Sequence, residues 1–110
     1  MEDSKTHQLN IKGIGLIQTG QMDEAIQCFE SAIKLNPDEY QAWYNKGTTL
    51  ELLERYEEAV VCFGEVNRID PSYSRAWVLK GRALAKLKKY DEAQDCLDRA
   101  EKLSKMSSII

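Results

Sequence analysis

Residues 40–73 read YQAWYNKGTTLELLERYEEAVVCFGEVNRIDPSY, and the segments on either side repeat this pattern at an interval of 34 residues. Gly47, for example, has counterparts in Gly13 and Gly81. The other matching sets are Leu16, Leu50 and Leu84; Ala25, Ala59 and Ala93; and Cys28, Cys62 and Cys96. Because a fixed period of this length is typical of arrays built from one supersecondary unit, the sequence predicts a repeat protein.

The first half of each repeat predicts a helix with one apolar face. In the middle repeat, Trp43, Gly47 and Leu50 follow the spacing i, i+4, i+7. Glycine costs about 1 kcal/mol relative to alanine inside a helix, so a glycine at the same position in all three repeats indicates that a neighbouring helix crosses very close there. Trp43 and Trp77 are predicted to be major core residues.

The second half of each repeat predicts another helix, in which small residues flank a bulky one, as in Ala59, Phe63 and Val66. Gly20 is placed to end a helix in the left-handed conformation. Pro37 and Pro71 stop the second helices because proline disfavours helix at the residue before it. The pattern predicts six helices, at about 6–19, 22–35, 40–53, 56–69, 74–87 and 90–104.

These residues resemble the tetratricopeptide repeat, whose pattern over 34 residues is an aromatic, a Leu-Gly pair, a Tyr, then Ala, Phe, Ala and Pro. The resemblance covers residues 6–107. This sequence departs from the family pattern with Leu9 for the first aromatic, with Lys before each glycine, with Leu at the Tyr positions, and with Leu97 and Lys105 for the last Phe and Pro. The resemblance implies an all-α, right-handed superhelical α-solenoid of three helix-turn-helix repeats. It places a tail at 1–5, a single domain at 6–107 with repeats 6–39, 40–73 and 74–107, and a second tail at 108–110.

The third repeat carries polar residues where the first two are mostly apolar. Gln94, Asp95 and Glu101 stand at the positions that would face a fourth repeat. Since terminal repeats need a polar outer face, we expect the third repeat to cap the array. The tail from Met106 to Ile110 leaves three arrangements open: frayed, folded back on the third repeat, or bound to a second molecule.

Composition excludes several classes of function. A net charge of −3 argues against generic binding to nucleic acid or anionic membranes. The sequence has neither an apolar run of membrane-spanning length nor a secretory signal, so we expect a cytoplasmic protein. Three cysteines without a C-x-x-C pair and one histidine, His7, predict buried or half-buried free thiols with no disulfide, metal or cofactor.

No cluster of residues with catalytic spacing is present. Gly13-Ile14-Gly15 lies inside a helical pattern without a preceding strand, which argues against a phosphate-binding loop. We therefore expect a protein that is not an enzyme.

The family resemblance implies that the first helices line a concave groove that holds an extended or helical peptide. Turning each first helix by one residue from its core stripe, and adding the flanking positions, gives the predicted lining. The rotated face carries Asn10, Ile14, Ile17, Tyr44, Thr48, Glu51, Val78, Arg82 and Ala85, and the flanking positions add His7, Ile11, Gln41, Asn45, Arg75, Leu79 and Lys86.

One end of this predicted groove is basic. From Arg75 to Lys89 the chain has six cations and no acid, and Arg75, Arg82 and Lys86 share a helix face. Two interpretations stay open. These side chains hold the carboxylates of an acidic peptide or a C-terminus, or they form a solvated face partly neutralised by Glu51 and Glu54.

One subtype of the family, found in co-chaperones, clamps a terminal carboxylate with Lys, Asn and Arg side chains. Asn45 matches the central Asn and Arg75 can replace a Lys, whereas Asn10, Ile14 and Leu79 depart from the pattern. The sequence therefore favours a non-catalytic module that binds a protein or peptide, with the clamp as a less favoured form. A self-associating scaffold is the alternative. We expect a monomer or weak homo-oligomer, with no nucleic-acid or membrane partner.

Overall fold

The computed structural model describes residues 2–109, with side chains described for residues 4–106. Over this range the chain forms six α-helices and no strand: α1 (Glu2–Gln18), α2 (Met22–Leu35), α3 (Tyr40–Leu52), α4 (Tyr56–Ile69), α5 (Ser74–Lys86) and α6 (Tyr90–Ile109). Each helix packs against the next along the chain, and α1 also contacts α3. The predicted all-α solenoid of three helical hairpins is confirmed. None of these helices combines the length and apolar character needed to cross a membrane.

The first and last helices are longer than the sequence predicts. α1 begins at Glu2 rather than near residue 6, and α6 continues to Ile109 rather than ending near residue 104. Neither extension contains a proline or glycine that would stop a helix. The three arrangements considered for the C-terminal tail did not include a longer helix, yet the backbone continues α6 to Ile109. The side chains from Ser107 onward and the whole of Ile110 lie outside the described residues.

The turn inside each hairpin follows one pattern at the end of the first helix. Gly20, Glu54 and Lys88 have φ angles of 81°, 60° and 63°. The next N–H in each turn donates to the carbonyl oxygen of Leu16, Leu50 or Leu84, at 2.8, 2.8 and 2.9 Å. This is the Schellman motif, in which a left-handed residue ends the helix and satisfies its last carbonyls. The predicted left-handed role of Gly20 is confirmed.

The turn between hairpins is held by proline and by a side-chain acceptor. The carbonyl oxygens of Pro37 and Pro71 each accept a hydrogen bond of 2.9 Å from the indole N–H of Trp43 and Trp77. Asn36 and Asp70 accept a hydrogen bond from the backbone N–H two residues later, as expected of Asx turns.

The prediction that the two tryptophans are major core residues is wrong. Both are half-buried and only pack against the core from its edge. Each indole must reach its proline carbonyl at the surface turn, and Lys46 and Lys80 lie over the rings at 6.0 and 5.8 Å. Phe29, Phe63, Leu50 and Val66 form the fully buried core instead.

The three cysteines are free and buried, as predicted. They occupy the same position on α2, α4 and α6, where they fill space beside the core alanines. Burial raises the pKa of Cys62 to about 11 and raises the pKa of Cys96. Since the thiolate is the reactive form of cysteine, these side chains act as small apolar groups.

Candidate functional site

A pocket of about 380 Å³ opens on the surface formed by the first helices of the hairpins. Residues of α1 and α3 form its walls, and Tyr73, just before α5, closes one side. We call it the tyrosine pocket; it is lined by His7, Asn10, Ile11, Ile14, Tyr40, Gln41, Tyr44, Asn45 and Tyr73. Its lining residues belong to the first two repeats, with Tyr73 at the end of the second, so its shape depends on how these hairpins stack.

Three tyrosines fix one wall of the pocket through ring contacts. The rings of Tyr40 and Tyr73 meet edge to face at 5.4 Å, and those of Tyr44 and Tyr73 are 5.7 Å apart. Tyr44 also meets the buried ring of Phe63 at 6.2 Å. Offset and edge contacts of this kind stabilise aromatic pairs, so the core of the second repeat holds the wall in place.

The opposite wall combines exposed apolar side chains with two asparagines that are hydrogen-bonded to each other. Ile11 and Ile14 are 56% and 42% exposed. Asn10 is buried; its amide donates to Glu39 at 3.3 Å and accepts from Asn45 at 3.5 Å. These bonds join α1 to α3 and occupy the amide nitrogen and oxygen of Asn10 and the amide nitrogen of Asn45. What the wall offers to a bound group is therefore mainly apolar surface.

A cation stands at the rim of the pocket. The Nε of Arg75 donates a hydrogen bond of 2.7 Å to the Tyr44 hydroxyl, and this bond raises the pKa of the exposed guanidinium. Glu51 adds a smaller effect in the same direction. The ion pairs found among the described residues do not include Arg75. Its charge therefore remains available to a bound anion.

Arg82 and Lys86 continue the positive charge along α5. Both side chains are exposed, and neither takes part in an ion pair between described residues. Lys80 differs, because it lies over the Trp77 ring, which Arg99 also contacts at 5.0 Å. Of the six cations, Arg75 thus adjoins the tyrosine pocket, and Arg82 and Lys86 follow it on the same face of α5.

The structure brings together only part of the predicted lining. Asn10, Ile14, Tyr44 and Asn45 line the tyrosine pocket. Ile17 and Val78 are half-buried, and Arg75, Arg82 and Lys86 are exposed on α5.

Two members of the predicted lining are directed elsewhere. Leu79 is 4% exposed and belongs to the core cluster around Phe63, because α5 turns this face toward α4. Its prediction as a groove residue is wrong. The half-buried Thr48 hydroxyl donates to the Asn45 carbonyl oxygen at 2.9 Å, within its own helix.

The lining predicted from the helix faces missed Tyr40 and Tyr73. Tyr40 is the first residue of α3 and Tyr73 precedes α5, so neither lies on the face used for the prediction. A signal was present, since both interrupt the repeat. Tyr40 corresponds to Thr6 and Ser74, and Tyr73 to Glu39.

The described residues contain no group of three or more His, Cys, Asp or Glu side chains placed to hold a metal ion. The arrangement is a candidate binding surface, in which an aromatic pocket adjoins a helix that carries exposed cations.

The fold and this surface define a class of proteins, the helical-hairpin repeat proteins with a groove across their first helices. Two models of the tetratricopeptide repeat match residues 12–66 and 52–105. The chain belongs to the tetratricopeptide repeat family.

A curated relative is similar over part of its length. The uncharacterized protein MJ0572 of Methanocaldococcus jannaschii is 44% identical over 45 residues, which is 41% of this chain and 52% of that protein. The match therefore spans about half the length of this relative.

Two solved structures show the same fold. The second repeat domain of Spaghetti (RPAP3), bound to the HSP90 peptide SRMEEVD, has a TM-score of 0.85 at 24% identity, covering 90% of this chain and 92% of that one. The TPR2B domain of yeast Sti1, in complex with an Hsp70 peptide, has a TM-score of 0.86 at 23% identity, covering 91% and 80%.

Proposed function

We propose that this protein is a non-catalytic interaction module that captures an acidic peptide segment of a partner protein in the groove. The observation that carries the proposal is the junction of the tyrosine pocket with Arg75, Arg82 and Lys86. These cations have no ion-pair partner among the described side chains. The Spaghetti and Sti1 domains, which have the same fold, were solved with peptides of HSP90 and Hsp70.

Carboxylates are the groups that such a surface binds best. Arginine can hold a carboxylate through two parallel hydrogen bonds, and exposed cations raise the rate at which an acidic segment arrives. Complementary charge thus supports capture even though the whole chain carries a net charge of −3. We also propose a cytoplasmic location, supported by three buried cysteines that remain free.

Selection from a random peptide library tests this function without assuming the partner. Peptides of about twelve residues displayed on phage are panned on the immobilised protein and on an Arg82→Glu/Lys86→Glu variant. We expect Asp and Glu to be enriched over the input library on the wild type only. A variant with the same charge change outside the groove, Lys102→Glu/Lys105→Glu on α6, should select the same peptides as the wild type. Equal enrichment on the groove variant, or no enrichment over a blank surface, would refute the proposal.

Self-association is the second candidate function, and one observation favours it. Leu97 occupies the position of Phe29 and Phe63, which are fully buried, yet it is 37% exposed on α6, about two helical turns from an exposed Tyr90. Sedimentation velocity from about 1 to 100 μM separates the two functions. A mass that rises with concentration and falls to the monomer with Leu97→Lys favours a scaffold, whereas a constant monomer mass removes this alternative.

A further inference from the structure

The apolar and cationic parts of the groove adjoin at a single side chain. Tyr44 lines the tyrosine pocket, and its hydroxyl accepts the hydrogen bond from Arg75. The guanidinium is therefore held at the rim. A ligand that places one group in the pocket and a carboxylate on Arg75 must carry the two groups close together.

The pocket suits a large apolar side chain. Ile11, Ile14 and the three tyrosines provide carbon surface, and the asparagine amides are already bonded to each other and to Glu39. A volume of about 380 Å³ holds a leucine, methionine or phenylalanine side chain with room for part of the backbone. The carbon surface of Ile11, Ile14 and the tyrosine rings would not replace the hydrogen bonds to water that a polar side chain loses on entering.

The cations differ in how firmly they are placed. Arg75 is oriented by Tyr44, whose ring is held in turn by Phe63 and Tyr73. No hydrogen bond between described residues orients Arg82 or Lys86, and both are exposed. An oriented guanidinium can select a distance, whereas flexible exposed cations attract acids from many positions.

Spacing along a peptide follows from these contacts. In an extended chain, side chains two residues apart point to the same side and lie about 7 Å apart. That separation fits two adjoining subsites. We propose that the groove recognises a short motif in which a large apolar residue and an acidic residue are separated by one residue. The apolar side chain enters the tyrosine pocket and the carboxylate binds Arg75.

This inference rests on the proposed capture of acidic peptides and adds the identity and spacing of its two anchors. It predicts that peptides of equal charge and composition differ in affinity. Arg82 and Lys86 should strengthen binding of all acidic peptides without distinguishing between spacings.

Fluorescence anisotropy with labelled nine-residue peptides of serine and glycine tests the spacing. The two peptides of the first pair contain Leu-Ser-Glu and Glu-Ser-Leu. The two peptides of the second pair have the same composition, with Leu and Glu five positions apart. A fifth peptide has four glutamates and no leucine. We expect at least one peptide of the first pair to bind about tenfold more tightly than either of the second. Arg75→Gln should remove that difference. The matched variant Arg82→Gln should weaken every acidic peptide by a similar factor and keep the difference.

The outcomes separate the inference from the function beneath it. Acidic peptides that bind with equal affinity at both spacings would overturn the motif and leave acidic capture intact. A preference that survives Arg75→Gln would overturn the role of Arg75. If none of the peptides binds, including the one with four glutamates, the motif and the proposed capture both fail. Circular dichroism of each variant verifies that it is folded, and Ile14→Asp, at an exposed position, gives an independent test of the pocket.

Discussion

Gly47 on α3 lies directly against the ring of Phe63 on α4. A Cβ atom added at position 47 would be 2.7 Å from Cε1 of that ring. Phe63 is fully buried, so the ring has little room to move. Gly13 and Phe29 make the corresponding contact in the first hairpin. The glycine thus sets how closely the two helices of a hairpin approach.

Gly47→Ala should lower the free energy of unfolding by up to about 2 kcal/mol. The overlap with Phe63 costs about 1–3 kcal/mol as overpacking, and only about 1 kcal/mol returns through the better helix propensity of alanine. Urea unfolding followed by circular dichroism measures the change.

Gly15→Ala is the matched control, because nothing lies within 4 Å of a Cβ at position 15 in the same type of helix. It should raise stability by up to about 1 kcal/mol. The double variant Gly47→Ala/Phe63→Leu should cost less than the sum of its single changes, since leucine leaves space for the new methyl group. If the changes in the free energy of unfolding were strictly additive, contact with the Phe63 ring would not be the reason why position 47 requires glycine.

Lys88 adopts a left-handed backbone conformation, with φ at 63°, at the position where the first hairpin has Gly20. Lys88→Gly should stabilise the fold by about 1 kcal/mol, because a side chain in this conformation costs about 1–2 kcal/mol. Thermal unfolding measures the effect. Lys88→Ala removes the same charge but keeps the Cβ atom, so it should leave the stability nearly unchanged. An equal gain from both variants would point to charge rather than backbone conformation.

The scaffold was predictable from the sequence because its determinants recur. The glycine and leucine positions and the prolines predicted the six helices and their stacking. Where residues at one position differ, exposure depends on the neighbouring helix. Ile11, Asn45 and Leu79 are equivalent in sequence, yet Ile11 is 56% exposed, Asn45 is half-buried and Leu79 is 4% exposed.

The candidate site was predictable only in part, because the exposure of its residues also depends on the neighbouring helices. A helical face could be inferred for Tyr44 and Asn45, but Tyr40 and Tyr73 reach the pocket from helix beginnings. Their positions depend on the Asx turns and on the contact between their two rings. Such geometry arises from tertiary packing and is not encoded in the helical period.

Asn67 on α4 is 5% exposed, and neither its amide nitrogen nor its amide oxygen has a hydrogen-bond partner among the described residues. The first repeat has Ile33 at this position. Asn67→Leu should raise the free energy of unfolding by about 1–3 kcal/mol, since it removes two unsatisfied polar groups and adds apolar burial. Urea unfolding at neutral pH measures the gain.

Asn10→Leu provides the matched comparison, because Asn10 is equally buried but bonded to Glu39 and Asn45. This change should destabilise the protein by about 1–3 kcal/mol, as it removes the hydrogen bonds that Asn10 makes with the half-buried Glu39 and Asn45. If Asn67→Leu were also destabilising, its amide must be satisfied in solution by ordered water.

Cys62 links stability to alkaline pH. Burial raises the pKa of its thiol to about 11 in the folded protein, partly offset by the positive charge of Lys46, whereas an unfolded cysteine titrates near its ordinary value of about 8.5–9. The folded state therefore holds the proton more tightly. Its stabilising contribution is fully present below about pH 8.5 and is lost as the pH rises through 11, by about 1.4 kcal/mol per unit and about 2–3 kcal/mol in total.

Urea unfolding at several values between pH 7 and 10.5 tests this linkage by comparing the wild type with Cys62→Ala. Lysines and tyrosines titrate in the same range, so the informative quantity is the difference between the two proteins. That difference should be constant up to about pH 8.5. Above it, the wild type should lose about 1 kcal/mol more than the variant for each further pH unit. Parallel pH curves would mean that Cys62 is accessible to water in the folded state. In that case the thiol would also react with a disulfide reagent at pH 8 without prior unfolding, which the buried position predicts it should not do.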